Sequence, residues 1–122
     1  MGAKEVKIVS SKGAVKGKKS ARYDLIPTRP LRELAELYGA GAEKYDDRNW
    51  EKGYSWSMSY AALQRHANQF WAGEDYDVHI DSCPADCKEH TLAPHIVAVA
   101  WHALALAEFM VTNRDMDDRK KE

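Results

Sequence analysis

The chain has 122 residues, of which 44% are apolar, and this length suits a single domain with a modest core. Its formal net charge of −1 argues against a general nucleic-acid or membrane-surface binder, which is usually strongly basic. No run reaches the roughly 18 uninterrupted apolar residues of a membrane span, and residues 1–20 lack the apolar core of a signal peptide. We therefore expect a cytoplasmic protein without membrane or polymeric nucleic-acid partners.

The two ends of the chain differ in composition from its middle. Residues 1–20 are rich in Lys, Gly and Ser and contain one β-like run at residues 6–9, which predicts a flexible basic arm. Residues 113–122 are polar except for Met116 and predict a disordered, charged tail. Residues 21–112 form the predicted single all-α domain.

The first predicted helix begins near Thr28, a capping residue, with Pro30 in its first turn, where the missing N–H costs nothing. Gly39 and Gly41 weaken this helix by about 1 kcal/mol each relative to Ala, so we expect them to permit a close helix approach or a kink. The apolar residues that follow at spacings of three and four lie on one stripe. They are Leu31, Leu34, Ala35, Tyr38, Ala42 and Tyr45.

The second predicted helix starts near Ser55 or Ser57 and ends at Gly73. Its apolar face includes Leu63, and His66 shares that face, so the His66 ring should point inward.

The third predicted helix, residues 92–112, is apolar almost all round, as buried helices are. Two other helices can hardly cover it, so we expect a partner subunit to do so. The fold class is therefore all-α, with a three-helix subunit that completes a helical bundle by homo-oligomerisation, most simply as a homodimer. His95 and His102 lie seven residues apart on one stripe of this helix, and buried imidazoles need hydrogen-bond partners or a ligand. Both a core role and a site role are open for these two residues and for His66.

Acidic residues cluster at two helix ends, which is where a metal that binds triphosphate oxygens would need carboxylates. Solvated acidic loops are an equally simple interpretation. Basic residues nearby could pair with phosphates, and one Asn–Trp pair could hydrogen-bond to and stack on a base. The acids are Glu43, Asp46 and Asp47, and Glu74, Asp75 and Asp77; the other candidates are Lys44, Arg48, Arg65, Asn49 and Trp50.

A second candidate metal site lies between the second and third helices. His79, Cys83, Cys87 and His90 are two imidazoles and two thiols within twelve residues, which is a ligand set for tetrahedral Zn²⁺. Cytoplasmic thiols stay reduced, so the cysteines should be free or metal-bound. Because four protein ligands leave no open position, such a zinc would be structural and not catalytic. A loop without metal is the alternative.

An ordered set of short motifs resembles a family found mainly in phages, the N-terminal domain of dATP/dGTP diphosphohydrolases. The motifs are RYDLIP (22–27), GAEKY (41–45), RNW (48–50) with Gly53, ALQRH (62–66), WAGED (71–75) with Asp77, and PH (94–95) running into AWHAL (100–104). Two features depart from related patterns. The link between Asp77 and His95 is longer than in the family, and the paired-glutamate signature of MazG-type enzymes is absent.

The resemblance implies an all-α nucleotide pyrophosphohydrolase, broadly similar to MazG-type enzymes, in the cytoplasm of a phage host. It would hydrolyse a purine deoxynucleoside triphosphate to the monophosphate and pyrophosphate with Mg²⁺ or Mn²⁺. Because the motifs cluster at three places, we expect one pocket there. Its expected parts are Glu43, Glu74 and Asp77 for Mg²⁺, Lys44, Arg48, Asn49, Trp50 and Arg65 for the substrate, and His66 and His95 as catalytic groups.

Two other functions fit the same residues. One is a nucleotide-binding module without turnover, which could sequester a nucleotide or a nucleotide-derived signal. The other is a helical interaction protein in which the histidines and acids are structural. Divalent-metal dependence separates the hydrolase from the binding module, and stabilisation by nucleotides separates both from the third.

Overall fold

A computed structural model describes residues 6–77 and 93–121. Most of the structure is helical, as predicted, with α1 at Thr28–Lys44, α2 at Trp56–Trp71 and α3 at His95–Thr112. A small sheet precedes the helices, with β1 at Val6–Val9 and β2 at Val15–Lys18. Short 3₁₀ turns lie at Tyr23–Leu25, Asn49–Lys52 and Arg114–Met116.

The described part of the N-terminal arm is a β-hairpin, whereas the sequence predicts a flexible segment with one β-like run. The two strands pair antiparallel, with Val6 opposite Lys18 and Val9 opposite Val15. Ser10 begins the turn, and its hydroxyl accepts the backbone N–H of residues 12 and 14. The second strand reads VKGK, which has no apolar alternation from which a strand could be predicted. Both strands remain largely exposed.

The start of α1 differs in detail from the prediction. Thr28 is the first helical residue, and neither it nor the preceding Pro27 makes a side-chain cap. A Cβ added at Gly39 or Gly41 would meet no atom within 4 Å, so the expected close helix approach is wrong for the described structure. The glycines instead leave open space beside the helix. The last turn of α1 closes with the Tyr45 N–H donating to the Gly41 carbonyl.

The core lies between α2 and α3. Trp56 of α2 packs with Ala105 and Phe109 of α3, and the latter two have no exposed surface. Partly buried residues surround this cluster: Trp50, Tyr54, Trp101, Leu106 and Met116. Helix α1 packs on α3, so α3 is the central element of the subunit.

The C-terminal segment packs against the start of α2, which differs from the frayed tail that the sequence predicts. Asp118 accepts hydrogen bonds from the backbone N–H and the hydroxyl of Ser57, and so caps a helix end that Ser55 leaves without a side-chain cap. The Trp56 indole N–H donates to the Asn113 carbonyl at 3.1 Å, and the Arg119 guanidinium lies over the same ring. These contacts join residues about 60 positions apart, so local composition does not reveal them.

One side of α3 remains uncovered. Ile96, Leu104, Met110 and Val111 are between 49% and 79% exposed. Of the described helices, α3 is the one long and apolar enough to cross a membrane by length and composition, with 28% of it buried in the subunit. It also carries the fully buried His95, as a core helix of a globular protein can.

Candidate functional site

Four polar residues face one another where α2 and α3 pack. Ser59 and His66 lie seven residues apart on α2, and His95 and His102 have the same spacing on α3. Each pair therefore lies on one stripe of its helix. In the structure His66 contacts His95, and Ser59 contacts His102, so two matching polar stripes meet inside the subunit.

The segment after α2 brings a carboxylate to this place. Tyr76 and Pro94 form an isolated antiparallel bridge, and the Asp77 N–H donates to the Ala93 carbonyl at 2.8 Å. The first backbone N–H of α3 donates to the Asp75 carbonyl at 2.9 Å. These bonds hold the end of the segment against the start of α3, next to the two buried imidazoles.

The imidazoles of His66 and His95 are directly in contact. Their Nδ1 atoms are 2.9 Å apart, and the His95 side chain is only 1% exposed. Burial lowers the pKa of His66, while the charge of Asp77 acts in the opposite direction. An Arg65 nitrogen lies 3.5 Å from His66 Nε2, and Glu74 Oε2 lies 3.6 Å from His95 Nε2. One tautomer set fits: Arg65 donates to His66, His66 donates to His95, and the His95 Nε2–H faces Glu74.

The contact between His102 and Ser59 extends this polar network away from Glu74 and Asp77. His102 Nδ1 lies 3.1 Å from the Ser59 hydroxyl, which lies 2.7 Å from the Tyr54 hydroxyl. The His102 ring stacks on His66 with centroids 6.0 Å apart. Burial, followed by the nearby His66 and Arg65, lowers the pKa of His102 to about 4, so its ring is neutral near pH 7.

Sequence reasoning noted His102 but did not place it at the site, and it missed Ser59 and Tyr54. The signal for Ser59 was present: it precedes His66 by the same seven residues that separate the two histidines of α3. Matching polar stripes on two apolar helix faces indicate that those faces meet.

Three side chains can hold a divalent metal. One ligand atom from each of His66, Asp77 and His95 lies within 4.8 Å of the other two. Two imidazoles and one carboxylate are a recurrent ligand set for first-row transition ions. Among residues 6–77 and 93–121, these three residues are the one group of three or more candidate metal ligands.

A pocket of about 1050 Å³ opens beside these residues, between the end of α1, the loop after it, α2 and α3. Its lining includes many of the residues expected from the sequence: Lys44, Arg48, Asn49, Trp50, Arg65, His66 and Asp77. Asp46 and Asp47, two of the acids noted in the sequence, also line it. Other lining residues were not expected at the site from the sequence: Tyr38, Tyr54, Trp101 and the small residues Ala40, Gly41 and Ala42.

Other expected site residues lie elsewhere. Glu43 is exposed and is not part of the pocket lining, although its neighbour Lys44 is. His95 lies behind His66 and does not line the pocket. The Glu74 side chain is 59% exposed and approaches His95 without lining the pocket. The candidate zinc ligands, His79, Cys83, Cys87 and His90, lie outside the described residues.

Aromatic rings form one side of the pocket. Trp50 meets Trp101 edge-on at 6.2 Å and lies 6.0 Å from Phe109, while Tyr38 lies 5.5 Å from Trp101. Trp50 therefore both packs against the hydrophobic core and forms part of the pocket wall.

Two residues of the loop that carries Trp50 have positive φ angles, which restrict the residues that fit there. Arg48 has φ of 59°, a left-handed conformation that is uncommon for residues other than glycine. Gly53 has φ of 88°, and a Cβ there would lie 2.3 Å from the Asn113 side chain, so only glycine fits without a shift. The RNW motif and its following glycine thus shape a turn that presents Arg48, Asn49 and Trp50 to the pocket.

Comparison with known proteins supports the resemblance seen in the sequence. A family model described as dATP/dGTP diphosphohydrolase, N-terminal, matches residues 10–119. No curated protein and no solved structure gives a significant match. The family description suggests a nucleotide substrate and use of a divalent metal. Since the match covers nearly the whole chain, this protein belongs to the dATP/dGTP diphosphohydrolase N-terminal family.

Proposed function

We propose that the protein hydrolyses a purine deoxynucleoside triphosphate, dATP or dGTP, to the monophosphate and pyrophosphate. The observation that carries this proposal is the lining of the pocket. Three cationic side chains, Lys44, Arg48 and Arg65, share it with aromatic rings and with four acidic side chains: Asp46, Asp47, Glu51 and Asp77. A triphosphate, a divalent metal and a base would each find a suitable chemical partner there.

The cationic side chains would bind the phosphates. Lys44 lies at the end of α1, and Arg65 lies on α2 next to the buried His66. Arg48 forms an ion pair with Glu51 at 2.9 Å, so we expect it to contribute less to phosphate binding than Arg65. Asn49, on the same loop, would hydrogen-bond to the nucleotide.

The aromatic side of the pocket would hold the base. Trp50, Trp101 and Tyr38 line the pocket and are held by edge and tilted contacts with one another. Base stacking on an aromatic ring is worth about 1–3 kcal/mol per base. A purine offers the larger ring face, which agrees with the family description.

Mg²⁺ or Mn²⁺ held by Asp77, the one of the three expected metal-binding acids that lines the pocket, would supply neutralisation of phosphoryl charge and help to activate water. The water oxygen would attack the α-phosphorus, and the bond from that phosphorus to the bridging oxygen would break, releasing pyrophosphate. His66 or His95 would orient the water or the phosphate chain. The lowered pKa of His66 keeps its imidazole neutral near pH 7, as this role requires.

We further propose that the protein is a cytoplasmic homodimer or higher homo-oligomer in which a second copy covers α3. The exposed apolar residues Ile96, Leu104 and Val111 follow helical spacing along α3. Ala100, Ala103 and Ala107 are exposed between them and would let two helices approach closely. Light scattering at micromolar concentration should give at least twice the mass of one chain; a monomer would contradict this assembly.

Purified protein incubated with each deoxynucleoside and ribonucleoside triphosphate, with Mg²⁺ or Mn²⁺, tests the activity. Chromatography should show dAMP or dGMP together with pyrophosphate, and no product after EDTA treatment. Absence of product from every nucleotide would contradict the hydrolase. If one nucleotide then raised the melting temperature, the protein would instead be a nucleotide-binding module.

Replacement of a proposed phosphate-binding residue tests substrate binding, and an exposed arginine on α1 provides a matched control. Arg65→Ala should raise KM for the nucleotide at least about tenfold, since one charge-assisted hydrogen bond is worth roughly 1.5–3 kcal/mol. Arg32→Ala removes the same charge from the exposed face of α1, where Arg32 lies 3.9 Å from Glu36, and should leave KM unchanged. Equal KM values for the two variants would remove Arg65 from substrate binding.

A further inference from the structure

We infer that His66, Asp77 and His95 form a binding site for a first-row transition ion, which this site takes in preference to Mg²⁺. The role of that ion in hydrolysis rests on the proposed function, but its binding does not. In this site the two histidines would be metal ligands and would not contact water or phosphate directly.

The spacing of the two imidazoles suits neighbouring ligands of one ion. Their Nδ1 atoms are 2.9 Å apart. Metal–imidazole bonds of roughly 2.0–2.1 Å would then subtend an angle of about 90° at the metal. Asp77 supplies an anionic oxygen within 4.8 Å of both nitrogens used in the cluster. Three protein ligands leave at least one coordination position of such an ion for a further ligand.

The surroundings of His95 provide a second, independent observation. Its Nε2 atom is buried and has no hydrogen-bond partner among the described residues, although a buried imidazole nitrogen normally has one. A metal on Nδ1 would place the proton on Nε2, which faces Glu74 Oε2 at 3.6 Å. Metal-bound histidines commonly direct their other N–H to a carboxylate. Glu74 is therefore a positioning residue that would orient His95.

A hydrogen bond between two neutral histidines explains the same 2.9 Å contact without a metal. The two states are mutually exclusive, because the proton shared by the Nδ1 atoms occupies the lone pair that a metal would use. The hydrogen-bonded pair alone, however, requires no carboxylate. Asp77 lies within the same cluster, where its negative charge favours a bound cation.

The ligand types decide which ion is favoured. Mg²⁺ prefers oxygen ligands in octahedral geometry and gives up its waters reluctantly. Imidazole suits iron, nickel, copper and zinc, and cobalt lies in the same affinity series. Two of the three ligands here are imidazoles, and both are more than nine-tenths buried. This ligand set replaces the three-carboxylate set, Glu43, Glu74 and Asp77, that the sequence suggested for Mg²⁺.

Titration of EDTA-treated protein with Co²⁺ alone, followed by equilibrium dialysis and visible absorption, tests the site without nucleotide. Wild-type protein should bind a Co²⁺ equivalent with nitrogen and oxygen ligands that a large excess of Mg²⁺ does not displace. Asp77→Asn and His95→Gln should each lose that equivalent. Asp75→Asn is the matched control, because it makes the same change on an exposed side chain of the same segment and should retain binding. Glu74→Gln should weaken binding about 10- to 100-fold.

Asp77 lies outside the helices, so Asp77→Asn should keep the helical circular dichroism and carries the test if His95→Gln fails to fold. Unchanged Co²⁺ stoichiometry in folded Asp77→Asn would overturn the site. Ready displacement by Mg²⁺, or a wild-type spectrum with thiolate-to-cobalt bands only, would also overturn it. Because the binding assay contains no nucleotide, Co²⁺ binding by a wild type that hydrolyses no nucleotide would contradict the proposed function alone. Hydrolysis by a wild type that does not bind Co²⁺ in this way would contradict the site alone.

Discussion

Replacement of Phe109 by Ala tests how the core supports the pocket. Phe109 has no exposed surface and packs edge-on against Tyr54 at 5.1 Å and beside Trp50 at 6.0 Å. Core Phe→Ala changes cost about 3–5 kcal/mol, from lost burial and the cavity left behind. A chain of 122 residues typically has a total stability of roughly 6–18 kcal/mol, so this change would remove a large share. Because Tyr54 and Trp50 line the pocket, nucleotide affinity should fall as well.

The only other phenylalanine in the chain provides the control. Phe70 lies on α2 and is 39% exposed, so Phe70→Ala should cost less than about 1.5 kcal/mol. Urea unfolding followed by circular dichroism, at one fixed protein concentration, gives both values; the m-value should not change. A difference between the two variants of less than about 1 kcal/mol would refute the assignment of Phe109 to the core.

Two further predictions concern stability, and a third concerns metal content. The pKa of His102 falls from 6.5 to about 4 on folding, so the unfolded chain takes up the proton first and stability is lost as the pH falls from 6.5 towards 4. After allowance for the partial exposure of His102, the free energy of unfolding should fall by about 1–2 kcal/mol over this pH range, as measured by urea unfolding of metal-free protein. This fall should be absent in His102→Gln. Asp118→Asn should lower the melting temperature because Asp118 caps α2, whereas Asp115→Asn should not; equal effects would contradict the cap. If the inserted segment binds zinc, metal analysis should find about one zinc per chain that is absent after replacement of Cys83 and Cys87 by Ser.

The three helices could be predicted from the sequence because their signals are local. Apolar spacing placed α1, α2 and α3 within a few residues of their observed bounds. The hairpin and the packed C-terminus could not be predicted in this way. Strand β2 has no apolar alternation, and the Asp118 cap depends on Ser57, some 60 residues earlier.

The candidate site was only partly accessible to the same reasoning. Motif clustering directed attention to Lys44, Arg65 and Asp77, which do line one pocket, but their roles stay predictions. Glu43 is adjacent to Lys44 in sequence, yet successive helical residues point about 100° apart, so only Lys44 reaches the pocket. The contact between His66 and His95 depends on how α2 and α3 pack, which a single-helix pattern does not contain.

We expect the carboxylate of Asp77, beside the buried histidines, to support turnover of a purine deoxynucleoside triphosphate. The most direct test compares kcat for dATP and dGTP in Asp77→Asn and in Asp75→Asn, two isosteric changes within three residues of each other. We predict that Asp77→Asn lowers kcat at least about 100-fold with its fold intact, which corresponds to roughly 2.7 kcal/mol of transition-state stabilisation. Asp75→Asn should remain close to wild type. Equal and full activity in both variants would show that Asp77 has no part in turnover.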